Sequence, residues 1–152
     1  MHELYGNVVV RRVISPVAVG TTGTGKTGKI IDRQGFDGVQ FIIDYGTVTA
    51  TNATIVPTLL EGDVTGTMTS VADADMIPGS GAEASAALPA QASARTSGVG
   101  KNVSTKIGYK GAKRYVQVKL VPTVTAGPPI AVTALLFNPD VMPVTAQQKV
   151  AQ

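Results

Sequence analysis

Residues 106–122, KIGYKGAKRYVQVKLVP, constrain this chain more than any other stretch. Val116, Val118 and Leu120 alternate with Gln117 and Lys119, the period of a strand with one buried and one wet face. Gly108 and Gly111 bracket a tight turn just before it. Such a strand belongs to an antiparallel sheet packed on one side, and it carries no group that does chemistry. The rest of the chain follows the same grammar. Strands are predicted over 8–14, 28–32, 38–45, 54–60, 67–71, 104–109, 114–121 and 130–137. Turn residues separate them at short intervals: 35–38, 45–46, 61–63, Gly66 and 127–129. About eight short strands so spaced predict an all-β fold, a jelly roll or β-sandwich, with a small barrel as the other closed form.

Two strands carry particular signals. Pro57 removes a ladder donor from 54–60 and predicts an edge position or a bulge there. The strand 130–137 is apolar on both sides apart from Thr133, which predicts cover on both faces, the second supplied by a neighbouring subunit. Residues 76–102 differ from the rest. Alanine there is interrupted by Pro89 and serines, no apolar stripe is present, and a long loop with one helical turn is expected. A loop of that length suggests contact with another subunit. The expected layout is a single domain, with an N-terminal arm at 1–7, a sandwich core at 8–138 containing the long loop 78–102, and a C-terminal arm at 139–152.

Chemistry is hard to build from this chain. It has no cysteine, which removes disulfides and thiolate metal sites. Its one histidine is His2, at a chain end, so no histidine-based triad is available to its serines. Asp73 and Asp75 lack the further oxygen ligands of a calcium loop and read as turn caps. No basic segment followed by an apolar core opens the chain, and the most apolar run, 130–137, is too short to span a bilayer, so a soluble intracellular product is expected.

One motif does match. Residues 20–27, GTTGTGKT, fit the phosphate-loop pattern G-x-x-x-x-G-K-[ST], and 41–44, FIID, imitate the strand that ends in a magnesium-binding acid. The loop works by placing phosphate at the start of a helix. Here Thr27 is followed by GKIIDRQG, with glycine at each end and a β-branched pair, and no useful helix starts there. No cofactor, metal or small-molecule substrate is therefore expected, and no enzymatic activity.

Charge is uneven along the chain. Nine of its ten acids lie before residue 84, whereas residues 84–139 contain none, only Arg95, Lys101, Lys106, Lys110, Lys113, Arg114 and Lys119. That asymmetry suggests a nucleic-acid face or a surface for an acidic partner, including another copy of the chain; scattered solvated lysines are the plainer reading. Tyr109 and Tyr115 beside Lys110, Lys113 and Arg114 could stack single-stranded bases, or be strand aromatics with solvated neighbours.

Five segments carry a resemblance. These are 35–46 (GFDGVQFIIDYG), 60–63 (LEGD), 71–77 (VADADMI), 106–120 and 136–144 (LFNPDVMPV). Together they resemble a family of small tailed-bacteriophage structural proteins, the capsid cement or decoration proteins, over roughly residues 28–144. The chain is longer than that pattern between 78 and 102. The resemblance implies a jelly roll on the outer capsid surface of the virion, bridging and stabilising major capsid protein subunits, with no catalytic residues to carry over. Symmetric assembly implies self-contact, expected as a two-fold dimer, with a trimer as the other option. Arg95, Lys101, Lys110, Lys113 and Arg114 are the expected protein-interface residues. The rival readings are another virion part, in the tail or the head-to-tail joint, and a single-strand nucleic-acid binder on a small barrel.

Overall fold

The computed structural model describes residues 5–91, 101–123 and 128–141. Among the described residues there are ten strands: β1 Val8–Ala18, β2 Lys26–Thr27, β3 Ile31–Asp32, β4 Phe36–Tyr45, β5 Ile55–Val64, β6 Thr67–Ser70, β7 Met76–Ile77, β8 Val103–Tyr109, β9 Tyr115–Pro122 and β10 Pro129–Pro139. One short helix, α1, spans Ala82–Ala86. The strands form two antiparallel sheets. Sheet A has the order β1-β10-β4-β8-β7; sheet B has β2-β9-β5-β6, with β3 also on β9.

The fold is all-β, a sandwich of these two sheets, and the period-2 pattern explains it. Val39, Phe41, Ile43 and Tyr45 of β4 face inward beside Ile130, Val132, Ala134 and Leu136 of β10, and all are buried. Val116, Val118 and Leu120 of β9 close the core from sheet B with Ile55 and Leu59 of β5. Burying each large apolar side chain contributes about 1.5–3 kcal/mol, so the two inner faces are the main source of stability.

The stretch 106–122 is not a hairpin. β8 lies in sheet A and β9 in sheet B, so residues 110–114 carry the chain across the core from one sheet to the other. Elsewhere the expected elements shift at their ends. The strand expected over 54–60 continues to Val64, because Gly62 still pairs with Tyr115. The expected strand at 28–32 is broken at Gly28, giving β2 before it and β3 after it. A Cβ on Gly28 would press on a Val13 methyl and approach the Val118 carbonyl, so the chain passes too close to both for a side chain.

Pro57 lies on β5, an inner strand of sheet B, yet its missing donor costs nothing. The neighbouring N–H groups of Ile55 and Leu59 point away from β9, one to the Leu88 carbonyl and one to the Glu83 carboxylate. β6 pairs only from Leu60 onward, so β5 is locally an edge at Pro57.

The segment expected to be a subunit-contacting loop is, over its described part, a plug. Ala82, Ala86 and Leu88 are buried in the protein's own core. Ile55 and Leu88 exchange backbone hydrogen bonds of 3.1 and 2.9 Å. The Ala86 carbonyl accepts from Tyr45 Oη at 3.1 Å and from Thr105 Oγ1 at 2.7 Å. The plug closes the seam between the sheets on the β5–β8 side. Residues 92–100 lie outside the described residues, as do 1–4 of the expected N-terminal arm and 142–152 of the expected C-terminal arm.

Candidate functional site

The phosphate-loop look-alike folds as a turn whose amides are already used. The Gly23 N–H donates to the Pro122 carbonyl, and the N–H groups of Thr24 and Gly25 both donate to Thr21. No helix follows: Lys26 and Thr27 form β2, opposite Leu120 and Lys119. Gly25 has φ +64°, and a Cβ on it would overlap the Leu120 carbonyl oxygen. Its glycine is required by strand contact, and the amides that a phosphate would need are spent on the backbone.

Four of the five segments of the resemblance, scattered in sequence, meet at Tyr109, and the fifth, 136–144, packs beside it on Gly38. The Tyr109 backbone pairs with Val39 of β4 and Met76 of β7. Its ring is fully buried, and Gly111 has no Cβ because one would strike that ring. Tyr109 Oη donates to Glu61 Oε2 at 2.5 Å and accepts from the Lys113 N–H at 2.9 Å. Arg33 lies over the ring, 5.3 Å from its centre. Nearby, the ring of Phe137 occupies the space that a Cβ on Gly38 would need. Burial first, and the Glu61 carboxylate second, push the Tyr109 hydroxyl well above its ordinary pKa, which keeps it protonated as a donor. A base cannot stack on Tyr109. Tyr115 is half-buried, with Arg114 5.0 Å from the centre of its ring.

Arg33 is the residue that sequence reasoning missed. Its guanidinium donates to the carbonyls of Lys113, Phe36, Asp37 and Gly111, and so fastens the β8–β9 crossing to the start of β4. In the sequence it is one base in an acidic half, and nothing local marks it out. Only the three-dimensional crossing of 110–114 brings those carbonyls together.

The expected interface residues divide into three groups. Lys113 and Arg114 are engaged within the chain. Lys113 Nζ pairs with Asp63 at 2.6 Å, and that hydrogen bond raises its pKa. Arg114 makes a two-pronged contact with Asp32, at 2.9 Å from Nε and 2.6 Å from Nη2. Lys101 and Lys110 are exposed, on either side of β8. Arg95 lies outside the described residues.

The Arg114 hydrogen bond holds the Asp32 carboxyl below its ordinary value, assisted by the Gln34 N–H and opposed by desolvation. The contribution is present above the unfolded pKa of about 3.9 and is lost as pH falls through the lower folded value. Both partners are well exposed, so the effect is small and screened by salt. Asp32→Asn is expected to flatten the low-pH end of the unfolding-midpoint curve and to leave pH 7 stability nearly unchanged. A wild-type acid limb identical to that of the variant would show that the pair does not contribute.

Asp73 and Asp75 sit in a single 3₁₀ turn, as a turn reading requires, but no side chain caps it. Among the described residues, no cluster of three or more His, Cys, Asp or Glu could hold a metal ion, and no helix is long and apolar enough to cross a membrane.

The surface feature that stands out is the outer face of sheet A. Along β10, Ala131, Thr133, Leu135 and Phe137 alternate with the buried set and are only half-buried. Ile42 of β4 pairs with Thr133, and Val10 of β1 pairs with Leu135. Val10 is 44% exposed and Ile77, on β7, 38%. No described element packs over this face. The expectation of cover on both faces of 130–137 is therefore met within the described residues on one face only.

No family model and no curated protein matches this sequence. Solved structures do match, among them the CBM22-1-GH10 modules of Clostridium thermocellum endo-1,4-beta-D-xylanase 10B, complexed with xylohexaose. That match has a TM-score of 0.41 at 7% identity, and it covers 95% of this chain and 28% of the xylanase chain. The chain thus spans just over a quarter of that neighbour's length. A likeness of this size says nothing about ligand or partner.

Proposed function

We propose that this protein is a non-enzymatic capsid cement or decoration protein of a tailed bacteriophage. In this reading it sits on the outer surface of the virion and ties neighbouring major capsid protein subunits together. The observation that carries the proposal is the outer face of sheet A, where Val10, Leu135, Phe137 and Ile42 form an apolar strip bordered by Arg12, Gln40 and Lys106. A monomeric soluble protein seldom leaves such a face bare, and contiguous apolar surface commonly marks a protein contact. The resemblance over residues 28–144 supplies the partner: a capsid shell presents the same surface many times, so modest contacts add up. The meeting of four of the five resembling segments at Tyr109 supports a shared structural kernel.

The test is co-sedimentation with shells assembled from the major capsid protein of the same genome, titrated to saturation. The expected result is one copy per capsid subunit or a simple fraction of it. Leu135→Glu, on the outer face, should lower occupancy by tenfold or more while the protein stays folded. No binding, or a handful of copies per particle, would favour a tail or joining role instead.

A further inference from the structure

The two lateral seams of the sandwich are built differently. On one side α1 and Leu88 fill the gap between the sheets. On the other, β1 ends sheet A and β2 ends sheet B, and the two edges face each other across an open cleft of about 420 Å³. The Lys29 N–H bonds the Val13 carbonyl at 3.1 Å and closes one end of it. Beyond that point β1 leaves its regular pairing: the register with β10 shifts between Arg12 and Ile14, and again between Ile14 and Val17.

The cleft has a consistent chemistry. Its apolar wall includes Ile14 and Val17, the latter 37% exposed. Its charged groups are Lys26 and Lys29, with Arg12, which pairs with Thr133 and leaves from the outer face of sheet A, at its rim; no acid lines it. Among the described residues none of these three has a carboxylate within ion-pair distance, unlike Lys113 and Arg114. Lys26 pairs with Leu120, whose side chain is buried between the sheets, so Lys26 lies on the inner side, at the mouth of the cleft.

We infer that the β1–β2 cleft is a docking site for an extended acidic segment of a partner protein. Lys26 and Lys29, without carboxylate partners beside an apolar wall, fit a chain that alternates carboxylates with small apolar residues. A second copy's β1 is a poor occupant, because Pro16 and the register shifts keep this edge from lying flat against another. A single-stranded nucleic acid fits less well, because no aromatic residue lines the cleft for bases to stack on. This inference does not rest on the capsid proposal; the acidic segment can belong to any partner.

The test uses the full chain, labelled with nitrogen-15, and a capped hexapeptide of alternating glutamate and valine. Amide shifts are expected to concentrate at residues 12–17 and 26–29. Lys26→Glu with Lys29→Glu should weaken that peptide at least tenfold and create binding for a lysine–valine hexapeptide, with the thermal midpoint little changed. No shifts at millimolar peptide, shifts centred elsewhere, or indifference to the double reversal would overturn the inference. Tighter binding of a ten-nucleotide oligo-dT at the same residues would overturn it in favour of nucleic acid. Because no capsid is present, failure here leaves the shell-binding result standing, and the reverse.

Discussion

Tyr109→Ala is expected to destabilise the protein by about 3–5 kcal/mol, the range for removing a fully buried aromatic side chain. That is a large part of the roughly 5–15 kcal/mol that holds a typical domain together. The loss has three components. The ring leaves a cavity between β4, β7 and the β8–β9 crossing. The Lys113 N–H loses its acceptor and Glu61 its donor. Arg33 loses the ring face beneath it. Tyr109→Phe separates these components, because it keeps the ring and removes only the hydroxyl. It should cost about 1–3 kcal/mol, the penalty of leaving partly buried polar groups unsatisfied. Urea unfolding of wild type, both variants, Glu61→Gln and the Tyr109→Phe/Glu61→Gln double variant would measure this. A coupling near zero in the double-mutant cycle would show that the Tyr109–Glu61 contact does not stabilise the fold.

The second large effect is at Gly25. Gly25→Ala is expected to cost about 2–4 kcal/mol, from a residue with a side chain forced to positive φ and from the overlap with the Leu120 carbonyl. The effect should appear in urea unfolding with no nucleotide present. Lys26→Ala, at an exposed position beside it, should change stability by no more than about 0.5 kcal/mol. A phosphate loop would behave in the opposite way: Lys26 would dominate, and its loss would be seen as lost nucleotide binding. Thermal stabilisation of the wild type by a nucleotide that is lost in Lys26→Ala would overturn the structural account of this loop.

Much of the architecture was legible because sheets with one buried face write a period of two into the sequence. β4, β9 and β10 appear within two residues of their expected bounds at either end, and the alternating set Val116, Val118 and Leu120 is the buried one. The misses have physical causes. β7 is two residues long and shows no period; it is a strand only because β8 lies beside it. Gly62 looked like a turn residue, but it is a glycine because Thr67 and Val64 carbonyls crowd the site where its Cβ would be. The plug was hidden because alanines bury well at close contacts without forming an apolar stripe. As for the surface, charge counts marked residues 84–139 as basic, but there Lys113 and Arg114 have intramolecular partners, whereas Arg12, Lys26 and Lys29, without a carboxylate partner among the described residues, lie in the half that the counts marked as acidic. An ion pair such as Arg114–Asp32 joins residues far apart in sequence, and no local pattern announces it.

The position of β10 has a consequence for how the protein comes to exist in the cell. It is the last of the described strands to leave the ribosome, yet it lies between β1 and β4 in sheet A. Until it arrives, the first strand made has no neighbour in its own sheet, and the inner sides of Val9, Val13 and Phe41 lack the wall formed by Val132, Ala134 and Leu136. The nascent chain therefore cannot settle strand by strand. It must wait, with valine-rich segments exposed, and close in a single step after translation has passed residue 139. A protein made in large amounts with this topology depends on fast final closure, or on chaperones that shield β1 in the interval.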